Sequence, residues 1–214
     1  MSNIIELNNI SKTFDNQKKI SVLKNLSFKF KKGKIYSLSG PSGSGKSTLL
    51  NLLSLIDRPS SGNIKIDNQN INYNKSEVND KIRSNNIGIV YQEKNLLPDF
   101  TAIENVCLAS LAANCNHKIA EQESLKIIQK VGLKDRINHF PSELSGGELQ
   151  RIAISRAIIN KPRIILADEP TGSLDHENAN QIFNLLFKLK NKDRVIIFAT
   201  HNRFFANKAD YKIS

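Results

Sequence analysis

The run Gly40-Pro41-Ser42-Gly43-Ser44-Gly45-Lys46-Ser47-Thr48 sets glycines, one lysine and hydroxyls at a spacing that suits a polyphosphate. Gly40, Gly43 and Gly45 admit backbone angles that other residues resist, so successive N–H groups can point at one anion. Pro41, Ser42 and Ser44 complete the loop. It follows an apolar strand-like segment, 34–39, and opens an apolar helical segment, 46–56. The start of that helix adds unpaired donors and the positive end of its dipole. Lys46 supplies a compact cation for β- and γ-phosphates. Ser47 offers a hydroxyl to Mg²⁺, which prefers oxygen ligands. Thr48 can bond near the α-phosphate. A plain Gly/Ser turn would not need Gly40, Gly45, Lys46 and Ser47 at these offsets. The loop alone does not separate GTPases, kinases and motor ATPases.

Three further segments end in polar residues suited to the same crevice. Residues 164–167 are apolar and lead into Asp168 and Glu169. Such a run reads as a central parallel strand, and ligands bind beyond the carboxyl ends of such strands. Asp168 would hold Mg²⁺ through water. Glu169 would face the γ-phosphate as general base or water-orienting group. Taken alone, two acids at a strand exit could simply be solvated. Residues 195–200 form a second such strand ending at His201, which can contact the γ-phosphate. Residues 87–91 form a third, followed by Gln92, whose neutral donor and acceptor suit sensing of metal and water. Lys46, Gln92, Glu169 and His201 form the expected catalytic set.

Leu144-Ser145-Gly146-Gly147-Glu148 opens another helix, expected over 148–160. Ser145 reads as its N-cap and Glu148 as the capping-box partner. A capping box does not require both Gly146 and Gly147. Two glycines at a helix start expose N–H groups to an anion. Nothing in the sequence between cradle and cap suggests that this cap closes over its own cradle.

These motifs, in this order and together with Ser173-Leu174-Asp175, resemble those of the ATP-binding-cassette (ABC) ATPases along nearly the whole chain. The resemblance implies an α/β P-loop NTPase with a RecA-like parallel core, a small antiparallel β subdomain and a helical subdomain. The chain would be a single domain, 1–214, with the helical part, about 93–160, inserted in the core. It implies ATP and Mg²⁺ as ligands, with Ser47, Gln92 and Asp168 around the metal. It also implies a head-to-tail dimer of two copies. Ser145, Gly146 and Gly147 of one copy would hold the γ-phosphate bound by the other, and Asp175 would couple the two sites. Phe14 matches the position where an aromatic ring stacks on adenine; many relatives have Tyr there, and Phe keeps the ring without the hydroxyl.

A narrower resemblance lies in Tyr91-Gln92-Glu93-Lys94-Asn95-Leu96-Leu97-Pro98-Asp99-Phe100-Thr101-Ala102, extended by Arg136-Ile137-Asn138-His139-Phe140-Pro141. It is similar to the lipoprotein-releasing (Lol) branch, with macrolide-efflux and cell-division ATPases as cousins. The first implies power for lipoprotein release toward the outer membrane. The cousins imply export of a macrolide or peptide, or a regulatory switch on cell-wall hydrolysis. Partners would be integral inner-membrane permease subunits, met from the cytoplasmic face by a peripheral protein. Leu96, Leu97 and Phe100 are candidates for that contact, or else core residues. A nucleic-acid maintenance ATPase of this family would carry tandem cassettes or a coiled-coil insertion, and neither is present. Leu149 stands where Gln or Arg is common, Asn202 where Asp often follows the histidine. A short strand usually following the last helix looks trimmed here.

Composition agrees with these readings. The chain has 214 residues, 39% hydrophobic content and a formal net charge of +11. Its basic residues are scattered, with 31–34 the one tight cluster, and no basic strip is interleaved with aromatics, so no nucleic-acid partner is expected. No apolar run approaches the roughly 18 residues of a spanning helix; segment 106–113 reads as half of a packed helix. Residues 4–8 look like an edge strand, not a signal peptide. Strands near 4–10, 22–30 and 62–67 should form the small sheet, and the Asn-rich stretch 68–74 a surface turn. Helices are expected over 102–113 and 118–131. Cys107 and Cys115 read as reduced packing residues.

Overall fold

Short β-branched runs flanked by glycine, proline and polar residues build the centre of the protein, here a computed structural model describing residues 2–16 and 18–214. Strands β3 (Ile35–Leu38), β6 (Ile87–Val90), β7 (Ile164–Asp168) and β8 (Val195–Ala199) run parallel in the order β6-β7-β8-β3. Side chains alternate across a pleated strand, so each strand feeds two cores. Ile164 and Leu166, with Val195 and Ile197, pack on Leu49, Leu50, Leu52 and Leu53 of α1 (Lys46–Leu53). Ile165 and Ala167, with Ile196 and Phe198, pack on Ile182, Phe183 and Leu186 of α6 (His176–Lys188). Both faces are therefore dry, as expected for a doubly covered parallel sheet.

The second sheet is antiparallel, built from β1 (Asn3–Asn16), β2 (Lys18–Lys31), β4 (Ser61–Ile66) and β5 (Gln69–Asn70) in the order β2-β1-β4-β5. It covers α1 from the far side through Ile5, Leu7, Ile10, Phe30, Ile64 and Ile66. The segment expected at an edge lies inside: β1 pairs with β2 on one side and β4 on the other. Its register slips between Asn3 and Ile5, which lets the adjacent Ile4 and Ile5 both be buried. An edge strand would not need two neighbouring isoleucines. The Asn-rich stretch is only partly a turn. Asp67 and Asn68 have φ of 48° and 65° and link the paired residues Ile66 and Gln69. Two positive-φ residues between paired strands make a hairpin, for which Asp and Asn are tolerated. Ile71 beyond it is buried.

Between β6 and β7 lie α3 (Ala102–Leu111), α4 (His117–Lys130) and α5 (Gly146–Ile158). Ala102, Val106, Ile128, Leu133, Leu144 and Ile152 form their own apolar cluster. Thr101 and Glu104 close a capping box on α3. Buried Asn105 bonds both Leu97 backbone groups and the carbonyls of Phe100 and Thr101, fixing the loop ahead of that helix. Cys107 is buried and Cys115 half-buried, and both are free thiols. Helix α2 (Ser76–Asn86) had no apolar stripe to announce it; only Ile82 packs on the main core. After α7 (Arg203–Ala206) a strand does follow: β9 (Tyr211–Ile213) pairs parallel with β3, correcting the expected trimmed edge. Among the described residues no helix is long and apolar enough to cross a membrane.

Helix α5 lies hard against β6 because Gly88 has no side chain. A Cβ there would stand 2.2 Å from the Ala157 carbonyl oxygen. Gly88→Ala should therefore cost about 2 kcal/mol and lower the melting temperature by about 4–8 °C. An unchanged melting curve would show that the helix is free to shift.

Candidate active site

The carboxyl ends of β3, β6, β7 and β8 open on one cavity of about 530 Å³. On one wall are Gly40, Ser42, Gly43, Gly45, Lys46, Ser47 and Thr48; opposite are Gln92, Asp168, Glu169 and His201. The loop owes its shape to backbone freedom at two points. Gly43 and Gly45 have φ of 78° and 90°, in the left-handed region. At Gly45 a Cβ would also press on Val22 and Leu23, at 3.0 and 3.1 Å. The Lys46 amine donates to the carbonyls of Gly40 and Pro41, each at 2.9 Å. Ser44 packs against Gly40 beneath the loop and, like Pro41, shapes it without lining the cavity. No side chain caps α1, so its first N–H groups face the cavity region without a side-chain acceptor.

The opposite wall is held by long-range contacts. Asp168 ends β7. Glu169 follows with φ of 42°, a region rarely adopted by a glutamate. Its N–H donates to the Ala199 carbonyl at 3.1 Å, and its carbonyl accepts from Gly172 at 3.0 Å. Backbone strain of this sort clusters at functional sites. Here it brings the Glu169 carboxylate, with a side chain only 15% exposed, to 3.0 Å from Nδ1 of His201. The Gln92 amide lies 3.2 Å from where a Cβ on Gly172 would stand. An anion cradle, a hydroxyl, a carboxylate and an amide oxygen thus converge. This donor set fits a magnesium-bound triphosphate: Ser47, Asp168 and Gln92 would hold the cation, and Lys46 with the loop N–H groups the phosphates.

The cap is elsewhere. Ser145 is the N-cap of α5 and closes the predicted box with Glu148. The Ser145 N–H and Arg136 hold the Glu148 carboxyl down to about 2. Neither Ser145, Gly146 nor Gly147 lines the cavity. Ser145 and Gly146 face solvent, while Gly147 is buried on α6, where a Cβ would fall 2.4 Å from Asn178 Oδ1. Asp175 caps that same α6 and accepts from both Asn178 nitrogens. The cap and Asp175 therefore share one surface, apart from the cradle.

The sequence profile of the ABC transporter family matches residues 23–172. The chain belongs to that family. It is 44% identical to the lipoprotein-releasing system ATP-binding protein LolD of Rickettsia bellii, covering 100% of this chain and 96% of that one. LolD of Ehrlichia canis is 45% identical, covering 98% and 93%. The fold superposes with a TM-score of 0.90 on a dimeric, post-hydrolysis ABC cassette, MJ0796, bound to ADP and Pi, at 36% identity and over 99% and 97% of the two chains.

Within this ABC cassette, two placements differ from a simple reading of the motifs. Phe14 does not line the cavity; it lies on β1, 38% exposed, with the Lys12 amine 4.8 Å from its ring centre. Val22 on β2 does line it. Sequence reasoning missed Val22 because one valine in a lysine-rich, half-exposed strand carries no signal; its nearness to Gly45 appears only once β2 lies over the loop. The two departures have local explanations. Leu149 packs against the helical cluster. Asn202 caps α7 by accepting from the Phe204 N–H, a task asparagine performs as well as aspartate.

Proposed function

We propose that this chain is the ATP-hydrolysing subunit of a bacterial lipoprotein-releasing transporter. It would act at the cytoplasmic face of the inner membrane, bound peripherally to integral permease subunits, and work as a head-to-tail pair. The observation that carries this is the separation of cradle from cap on one chain. Each cap has a helix N-terminus that meets solvent at Ser145 and Gly146 but no cradle of its own, so two copies complete two sites. Dimeric relatives of the same fold support the pairing. The full-length likeness to proteins named for lipoprotein release favours that branch over the macrolide-efflux and cell-division cousins.

In this reading Glu169 orients and deprotonates the attacking water, and His201 holds the γ-phosphate while fixing the carboxylate. Lys46 and the loop N–H groups stabilise charge on the transferring group. Gln92 and Asp168 complete the metal's surroundings; Mg²⁺ supplies charge neutralisation on the phosphate oxygens. Phe14 and Val22 border the base and sugar. Residues 93–160 move as a helical unit, and Leu97 and Phe100, both exposed, offer an apolar contact to the membrane partner.

Reconstitution of the chain with lipoprotein-release membrane subunits in lipoprotein-loaded vesicles tests the reading. ATP should drive cargo to a soluble acceptor, and the chain should co-purify with those subunits. Robust ATP turnover with neither binding nor release would assign it to a different transporter.

A further inference from the structure

Helix α5 carries the cap at its N-terminus, and further along it grips a different loop. The Arg156 guanidinium donates to the carbonyls of Asn95 at 2.6 Å and Lys94 at 2.8 Å. One turn and a half earlier, buried Gln150 reaches the carbonyl of Tyr91 at 3.4 Å. These carbonyls bracket Gln92 on both sides. The loop is bent at the clamp, for Asn95 has φ of 49°. A third contact pins it from the other side: the Lys94 amine donates to the Ser173 hydroxyl at 2.6 Å, in the segment that leads from Glu169 to Asp175. Gln92 itself is exposed and lies beside Gly172 of that segment. Its place in the cavity is thus set by backbone anchors, chiefly those from α5.

We propose that Arg156, assisted by Gln150, is a positioning residue for Gln92. Through it α5 links the cap offered to one nucleotide to the loop serving the other. This rests on the reading of Gln92 as a site residue and of the cap as acting on a second copy. The physics is that of a short rigid lever. A helix rises about 1.5 Å per residue, so cap and clamp are roughly 15 Å apart on one stiff rod. When the cap seats on a partner's phosphate, the rod cannot tilt without dragging the carbonyls of residues 94 and 95. The planar guanidinium holds its two carbonyls in one fixed plane, a geometry that a lysine's compact, rotatable ammonium does not impose. A partner that pulls on residues 96–100 acts on the same clamped loop, so both signals reach Gln92 through that loop.

The test is a double-mutant cycle on steady-state ATP hydrolysis by the full chain. Arg156→Lys is expected to lower kcat about 10-fold with KM for ATP changed by less than about 2-fold, the signature of a misplaced group rather than lost binding. Gln92→Ala should lower kcat by itself, and the pair Gln92→Ala/Arg156→Lys should be no slower than Gln92→Ala alone. Normal turnover in Arg156→Lys, or losses that multiply in the double variant, would overturn the proposal. Normal turnover in Gln92→Ala would instead remove Gln92 from the site and the clamp's purpose with it. Where Arg156→Lys does not fold, Lys94→Met decides: it loosens the same loop from outside the core. It should slow kcat about 3-fold and, again, not beyond Gln92→Ala. Unchanged kcat there would overturn the clamp.

Discussion

Glu169→Gln is expected to lower ATP turnover by about 10²–10⁴-fold while leaving ATP affinity nearly unchanged. The substitution keeps the shape of the side chain and removes only its capacity to accept a proton. The carboxylate sits in a backbone conformation with φ of 42° and meets His201 at 3.0 Å. Its orientation is therefore imposed by the fold, and glutamine can occupy the same place. What would be lost is the proposed base and its electrostatic pull on the attacking water. Lys46, the loop N–H groups and the α1 terminus are untouched, so binding persists. Single-turnover hydrolysis and equilibrium titration with a fluorescent ATP analogue separate the two quantities. Turnover within about threefold of the parent would take Glu169 out of the chemistry. The slowed variant should also accumulate with ATP as a stable dimer, because the step that opens the pair no longer occurs.

Ser145→Arg is expected to abolish that ATP-trapped dimer and to lower turnover by about 10²-fold or more, again without loss of binding to the cradle. Ser145 is exposed at the tip of α5, apart from the cavity. A long cation there blocks close approach of the helix terminus to a second copy, whereas the chain's own loop has no contact to lose. The change also removes an N-cap worth about 1 kcal/mol, so Ser145→Ala is the needed control. It loses the cap but leaves room for the partner, and it should dimerise far better than the arginine variant. Sedimentation of Glu169→Gln and Glu169→Gln/Ser145→Arg with ATP gives the answer. A double variant that still sediments as a dimer would show that the cap does not face a second protomer.

The phosphate loop, the acidic pair after β7 and the cap of α5 were legible from the amino acids because each depends on residues adjacent along the chain. Glycines at 43 and 45 free the backbone, and the helix that follows supplies donors whatever packs around it. Ser145 and Glu148 satisfy each other across one turn. The core strands β7 and β8 were equally plain, since Ile164–Asp168 is apolar up to its final aspartate and Val195–Ala199 is apolar throughout, as burial on both faces requires. Helix α2 and the short strands β5 and β9 lacked such a signal; their order is borrowed from neighbours.

Other features came into being only when distant segments met. Whether β1 was an edge or an inner strand turned on β4, some fifty residues later, pairing with its free side. Val22 became part of the cavity because β2 crosses Gly45. The contact of His201 with Glu169 exists because β7 and β8 are neighbours in the sheet, and the hold of Arg156 on residues 94 and 95 because Gly88 lets α5 approach β6. Chemical identity was thus written locally, in spacing that backbone geometry can read. The aim of each group, and the placing of the cap apart from its own cradle, belonged to long-range packing that no short stretch of sequence contains.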